Sequence, residues 1–593
     1  MCYPVCPHGP TQSLGNLCLT VGLGLAACCR SGMGVPPMSR TDVPGVRRHR
    51  NQGGDAPATH GQDARATHIG FFQGAARPDY RKLKPGTAAR AGKGTPSDET
   101  RWYPPLGLMK LATFHKNRGD QVHFVYGCDK SVLPSETLFD SRSLWDRVYI
   151  TTLFTFHFDK IVKTIRFYVD AVGGTVSKVF VGGVMASLVA DALYRETNVA
   201  PVTGVLHSPA AVGLDGNEDI DLLPPDYGLL DPHLYGIRDT FYAYTTRGCV
   251  NKCPWCGVHR LEPDYVPYID IKPIIRSLRD KHGDKAALCL MDNNVLASPD
   301  LRRIVDDLLE LGYGRGQYTN TTPRKQRVID FNQGLDATHV TEANMKLLSR
   351  LNIRPMRIAF DRVQEKAQYV KALELANSHG VKEFSNYMLY NFDDTPLDLY
   401  ARLFVNIELN ERWIAGEKDR IAGKIYSYPM RYAPIDEKTG EGGNRTREAA
   451  NGCTSRRRNW LTGPVWTKRF TRNIEIMRGA AHGAISATPT LARRTIGRTR
   501  QEFIANLYMP EELLQNRNVH EKKVYDHEPD RKAGSGKVEE FRKFILDLLN
   551  KQDDRFWTFH EAVTPNTADA IRCCLAETSD DEMRTWLRMY LKR

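Results

Sequence analysis

Hydrophobic and polar positions along the chain fall into two successive series of short apolar stretches, each separated by amphipathic ones. Before them, residues 1–66 are rich in Gly, Pro, Ala, Ser and Arg with no sustained period, the composition of a disordered head. The first series begins at residue 67. Its apolar stretches are "HIGFFQG" (68–74), "QVHFVYG" (121–127), "RVYITTLF" (147–154), "KVFVGGV" (178–184) and "PVTGVL" (201–206), each expected to be a buried strand. Residues 104–119 read as a helix that opens on proline and stops at Gly119, with Leu108, Leu111, Ala112 and Phe114 on one face. In this helix, His115 is expected on a surface or interdomain position. Two more helical stretches lie at 158–172 and 185–197. Such alternation implies a parallel sheet with helices on both faces, a Rossmann-like domain over residues 67–210. A linker rich in Asp and Pro, 211–237, follows it.

The second series places strands at 240–248, 286–292, 328–336, 355–361, 384–392 and 424–432. Ser298-Pro299-Asp300 sets a capping hydroxyl before a proline at the first helical position. Thr395-Pro396-Leu397-Asp398 has the acidic third residue of a capping box. Six β/α units in a row predict an open or partial barrel over residues 238–433. The remainder, 434–593, reads as a basic and mostly helical region with a Gly/Arg-rich loop near 439–458. The expected fold class is thus α/β: a Rossmann-like parallel sheet domain, a partial (β/α)6 barrel, and a mostly helical C-terminal region.

Length agrees, since 593 residues exceed what one compact core accommodates. No run of 18 apolar residues exists, so no membrane span is expected. The apolar stretch from Leu17 to Cys29 is short, and no Lys or Arg precedes it, which leaves a signal peptide without its basic start. Thirteen cysteines, odd in number and irregular in spacing, argue against a disulfide scaffold and for a reducing, cytoplasmic compartment. The net charge of +13 is uneven. Residues 411–500 carry 19 basic and 8 acidic side chains, including Arg456, Arg457, Arg458, Arg493 and Arg494. Such a stretch is either a solvated basic surface or a contact for nucleic acid, RNA included.

The candidate chemistry lies in "GCVNKCPWCGVHR" (248–260), where Cys249, Cys253 and Cys256 follow the first strand of the second series. Active sites of β/α barrels gather at that end of the strands. Thiolates suit iron–sulfur clusters or zinc. With His259, the loop offers a Cys3His zinc set, although four ligands within eleven residues would be crowded. Three cysteines alone hold three irons of a [4Fe–4S] cube and leave the fourth iron open.

Cys-x3-Cys-x2-Cys after the first strand of a six-unit barrel resembles the radical S-adenosylmethionine (SAM) superfamily. The resemblance implies a [4Fe–4S] cluster on Cys249, Cys253 and Cys256, with SAM on the open iron and a reductant protein such as flavodoxin or ferredoxin. It puts Trp255 beside the adenine and Asp292, Asn293 and Asn294, at the second strand end, near the SAM amino group. Gln333 and Asp336, at the third, would meet ribose hydroxyls or substrate. "YMLYNFDDTP" (387–396) resembles the family's Gly-Phe-x-x-Thr turn, with Asn391 in place of the glycine. Asp361 and Arg431 end the fourth and sixth strands.

The preceding domain, with "YPPLGLMKLATFHKNRGDQV" and "VFVGGVMAS", resembles the cobalamin-binding-type domain of one branch of that superfamily. That branch's Asp-x-His-x-x-Gly motif does not occur after the first strand, so cobalamin and a cobalamin-dependent methylase stay open rather than assigned. The methylthiotransferase branch needs three further cysteines in its first domain, and residues 67–248 hold only Cys128.

Overall fold

The computed structural model describes residues 68–73, where only the backbone is considered, and 103–129, 145–232, 235–416, 422–433, 465–479, 483–522, 534–551 and 554–591. The expectations for the N-terminal head, for the 439–458 loop and for Arg456, Arg457 and Arg458 lie outside these residues.

Four parallel strands, β1 (His68–Gln73), β2 (Gln121–Tyr126), β3 (Arg147–Thr152) and β4 (Val179–Gly183), form the first sheet in the order β2-β1-β3-β4. That order belongs to doubly wound sheets, which turn outward from a central pair. The helix Phe158–Ala171 buries Ile161, Val162, Ile165 and Tyr168 against β3 and β4. The helix Leu106–Asn117 buries Leu108, Leu111, Ala112 and Phe114 in a cluster with Tyr149. Two expectations change here. The stretch expected as one helix over 185–197 breaks at Val189 into Val184–Leu188 and Ala190–Thr197. The strand expected at 201–206 shrinks to one parallel bridge between Val202 and Gly182. Pro201 has no N–H to donate and Gly204 adopts φ +77°, so neither side of Val202 continues the ladder.

The second series gives two parallel three-stranded sheets. β5 (Thr240–Ala243), β6 (Ala287–Leu290) and β7 (Val328–Phe331) form one, and β8 (Met356–Arg357), β9 (Glu383–Tyr390) and β10 (Lys424–Arg431) form the other. Parallel bridges Ile329↔Ile353 and Leu335↔Ile358 join β7 to the β8 segment, so six strands run side by side in chain order. Each is shorter than its apolar stretch because the last residues of the stretch leave the ladder to build loops at its C-terminal end. Thr395 caps the helix Pro396–Ile414 in the expected capping box, accepting from Asp398 N at 3.2 Å while Asp398 Oδ2 accepts from Thr395 N at 2.8 Å. The Ser298 hydroxyl accepts from Asp300 N at 3.0 Å, but the helix it precedes begins only at Leu301.

The described C-terminal residues are helical between Lys468 and Met589, and their apolar faces share one continuous core with the six-strand series. Arg493 and Arg494 are turned to internal partners, Glu411 at 2.7 and 2.8 Å and Glu521 at 2.9 Å. Among the described residues no helix is long and apolar enough to cross a membrane.

Candidate metal centre

β5 runs out at Ala243, and Tyr244, Thr245, Thr246, Arg247 and Gly248 carry the chain into the cysteine loop. Asp292, at the end of the neighbouring β6, holds this approach. Its Oδ1 accepts from the N–H and hydroxyl of Thr245, both at 2.8 Å, and from those of Thr246 at 2.5 and 2.9 Å. Its Oδ2 is buried and has no hydrogen-bond partner. Burial pushes the carboxyl up to about 6 despite the four donors. Gly248 then turns the chain at φ +70°, and a Cβ there would stand 2.3 Å from the Asp264 carbonyl oxygen. No side chain fits that turn.

Cys249, Cys253 and Cys256 are free and half-buried. Cys249 Sγ accepts from Asn251 N at 3.3 Å and from Asn294 Nδ2 at 3.7 Å. Cys253 and Cys256 close a turn through Cys256 N and the Cys253 carbonyl, 3.0 Å apart, and both pack with Trp255, Leu389, Phe392 and Tyr432. Burial raises all three thiols; neighbouring sulfurs add to it for Cys253, which reaches about 12, and for Cys256, which reaches about 11, while hydrogen bonds from Asn251 and Asn294 partly offset it at Cys249. A metal taken up here must therefore displace protons. Among the described residues no group of three or more His, Cys, Asp or Glu side chains is arranged to hold a metal ion. His259 Nδ1 is buried without a partner.

The other candidates surround this loop unequally. Trp255 is buried, meets Phe392 edge-on at 5.5 Å, and carries the Arg362 guanidinium 4.7 Å over its ring. Asp336 accepts from Asn251 Nδ2 at 2.8 Å and from Asn294 Nδ2 at 3.4 Å, tying the third strand end to the loop. Asn293 turns away and donates to Glu262 Oε2 at 3.0 Å. Gln333 is half-buried on the turn after β7. Asn391 stands in the left-handed region at φ +69°, donates to the Tyr432 carbonyl at 2.8 Å, and leaves its buried Oδ1 without a partner. Asparagine is the residue after glycine that best tolerates that conformation, so the replacement keeps the turn. Asp361 accepts from Leu389 N at 2.9 Å, and Arg431 reaches Glu475 at 3.1 Å.

Two residues of this site carry no motif. Asn251 contacts Cys249 directly, and Glu262 accepts from Gly248 N at 2.6 Å. Their polarity in otherwise ordinary loops is the sole signal that the sequence offers. Asn294, expected at the second strand end, also contacts Cys249. His115 corrects an expectation: it is wholly buried, not at the surface. Asp120 Oδ2 at 2.6 Å from Nδ1 and Tyr149 Oη at 3.0 Å from Nε2 occupy both ring nitrogens.

No protein-family model matches the chain, and no curated protein matches it by sequence. Among solved structures it is similar to the radical S-adenosylmethionine methyltransferase TsrM from Kitasatospora setae with cobalamin and a [4Fe-4S] cluster bound. The identity is 12% and the TM-score 0.41, over 63% of this chain and 74% of that one. It is also similar to the apo, selenomethionine-labelled cobalamin-dependent S-adenosylmethionine radical enzyme OxsB. Here the identity is 10% and the TM-score 0.39, over 89% of this chain and 83% of that one.

Proposed function

We propose that the chain is a radical SAM enzyme whose cluster is held by Cys249, Cys253 and Cys256. The observation that carries this reading is a three-thiol loop lying beside buried acceptors without donors: Asp292 Oδ2, Asn294 Oδ1 and Asn391 Oδ1. Buried oxygens of that kind are costly unless a bound molecule supplies donors. The donor set also suits the group: thiolates are soft, and a cube spreads three sulfurs over three irons instead of gathering them round one ion.

When bound, a [4Fe–4S] cluster supplies one electron for reductive cleavage of the SAM sulfonium C–S bond. The chain's own part is binding and exclusion of water. Asp292 Oδ2 and Asn294 Oδ1 offer acceptors for an ammonium group. Asn391 Oδ1 and the Trp255 ring offer an acceptor and an apolar wall for a base, and Gln333 and Asp336 offer partners for hydroxyls. The electron comes from a reductant protein such as a flavodoxin or ferredoxin. His115 has both nitrogens engaged and does not fit as a cobalt ligand, so no step through cobalamin is derived.

Anaerobic purification and reconstitution test the reading. The expected result is a brown protein with about four irons per chain. It releases 5′-deoxyadenosine and methionine from SAM under reduction, and Cys253→Ala abolishes both. A colourless protein with one zinc, or a cluster indifferent to SAM, would overturn it.

A further inference from the structure

Both flanks of the cysteine loop are fastened to the N-terminal sheet layer. On the leading side, Arg247 donates from Nε to Asp221 Oδ2 at 2.9 Å and from Nη2 to Asp221 Oδ1 at 2.5 Å. Its Nη1 reaches Glu262 Oε1 at 2.8 Å, and its guanidinium stacks 3.4 Å from the Tyr244 ring centroid. Asp221 also accepts from Lys110 Nζ, at 2.7 Å to Oδ1 and 2.5 Å to its carbonyl. Lys110 belongs to the helix Leu106–Asn117, which packs on the first sheet. Lys110, Asp221 and Arg247 are all buried, so each charge depends on the others for compensation. Glu262 completes the chain of contacts by accepting from Gly248 N, one residue before Cys249. On the trailing side, Arg260 donates to the Leu188 carbonyl at 3.0 Å, and Leu261 packs into the N-terminal core.

We propose that Lys110, Asp221 and Arg247 are positioning residues through which the N-terminal layer sets the conformation of the cysteine loop. Lys110 acts through Asp221 and through its own cation–π contact, 5.5 Å from the centroid of the Tyr244 ring on which Arg247 stacks. A displacement of its helix thereby reaches Arg247, then Gly248 and Cys249. What the loop binds rests on the reading proposed above; the docking itself does not.

Site-resolved alkylation of the full chain before reconstitution tests the docking. Iodoacetamide labelling is followed by mass spectrometry at Cys249, Cys253 and Cys256. The exposed Cys573 serves as the rate standard, and the buried Cys289 reports global unfolding. Lys110→Met leaves both Arg247 ion pairs in place and is expected to speed loop labelling about tenfold with Cys289 still protected. Asp221→Asn is expected to speed it further, because two buried cations then face a neutral amide. Loop rates at wild-type values, or rising only together with Cys289, would overturn the proposal. After reconstitution, Lys110→Met should keep its iron but bind SAM about tenfold more weakly, read from the change SAM makes in the spectrum of the reduced cluster. If wild type binds no SAM while the alkylation contrast persists, the cofactor reading fails and the positioning role stands.

Discussion

Arg402 Nη2 lies 2.7 Å from Asp394 Oδ2, and Arg402 itself has no exposed surface. The same guanidinium donates to the carbonyls of Phe360, Asp361 and Leu389 at 3.0, 2.7 and 2.8 Å. One side chain thus fixes the segment that follows β8, the end of β9 and the 391–395 turn beside Trp255. Arg402→Met should cost about 3–5 kcal/mol, because it leaves three carbonyls and one carboxylate oxygen of Asp394 without their donor. Arg402→Lys should recover little, since an ammonium cannot reproduce the fork of donors. Chemical denaturation of both variants checks this; a loss below about 1 kcal/mol would be incompatible with the network.

Asn391 separates backbone demand from side-chain demand. Asn391→Gly keeps φ +69° accessible and should lose about 1 kcal/mol for the missing hydrogen bond to Tyr432. Asn391→Val should lose about 2–4 kcal/mol, since a β-branched residue resists that conformation and the bond is gone as well. Thermal unfolding of the pair gives the ordering. On the proposed reading, the glycine variant keeps the turn but binds SAM more weakly for want of the Oδ1 acceptor, and the valine variant loses SAM cleavage altogether.

What could be read ahead of the structure follows from range along the chain. All six strands of the second series announce themselves through local apolar stretches, and the three cysteines through spacing inside one loop. The roles of Lys110, Asp221 and Glu262 were not legible, because their pairing spans up to 111 residues and no motif marks it. His115 differs: helical position alone puts it at a surface or interdomain position, and the partners that let a polar ring be buried there include Asp120, five residues away, and Tyr149. Val202 shows the reverse case, an apolar stretch whose strand is cut short by Pro201 and Gly204.

Gly248 is the tightest point of the site. Gly248→Ala would push a Cβ to 2.3 Å from Asp264 O at a positive φ, against backbone that cannot swing aside. The expected cost is about 2–4 kcal/mol, concentrated at the loop. On the proposed reading, iron bound after reconstitution should fall well below wild type while far-ultraviolet circular dichroism is unchanged. Full iron loading in this variant would show that the loop tolerates a different turn.

Asp292 makes a pH-dependent prediction whose sign is set by its burial. The carboxyl ionises near its ordinary 3.8 in the unfolded chain and at about 6 in the folded one. Between those values the folded state holds a proton that the unfolded state has released, so stability from this group is fully present below about 3.8 and lost as pH rises through about 6. Asp292→Asn removes the titration but keeps an oxygen for the donors of Thr245 and Thr246. The stability of wild type relative to Asp292→Asn should therefore decline with pH across that window, by at most about 1.4 kcal/mol per unit, and level off above it. Denaturant titrations at several pH values read the difference; a rise with pH would mean that the carboxylate is stabilised in its charged form. The substitution also replaces the partnerless Oδ2 with a donor, which cannot accept from an ammonium group. On the proposed reading, Asp292→Asn leaves the fold intact at pH 7 and the iron content unchanged, yet weakens SAM binding by about tenfold or more. Loss of the fold, or unaltered SAM affinity, would remove Asp292 from the binding site and leave it as the staple of Thr245 and Thr246 alone.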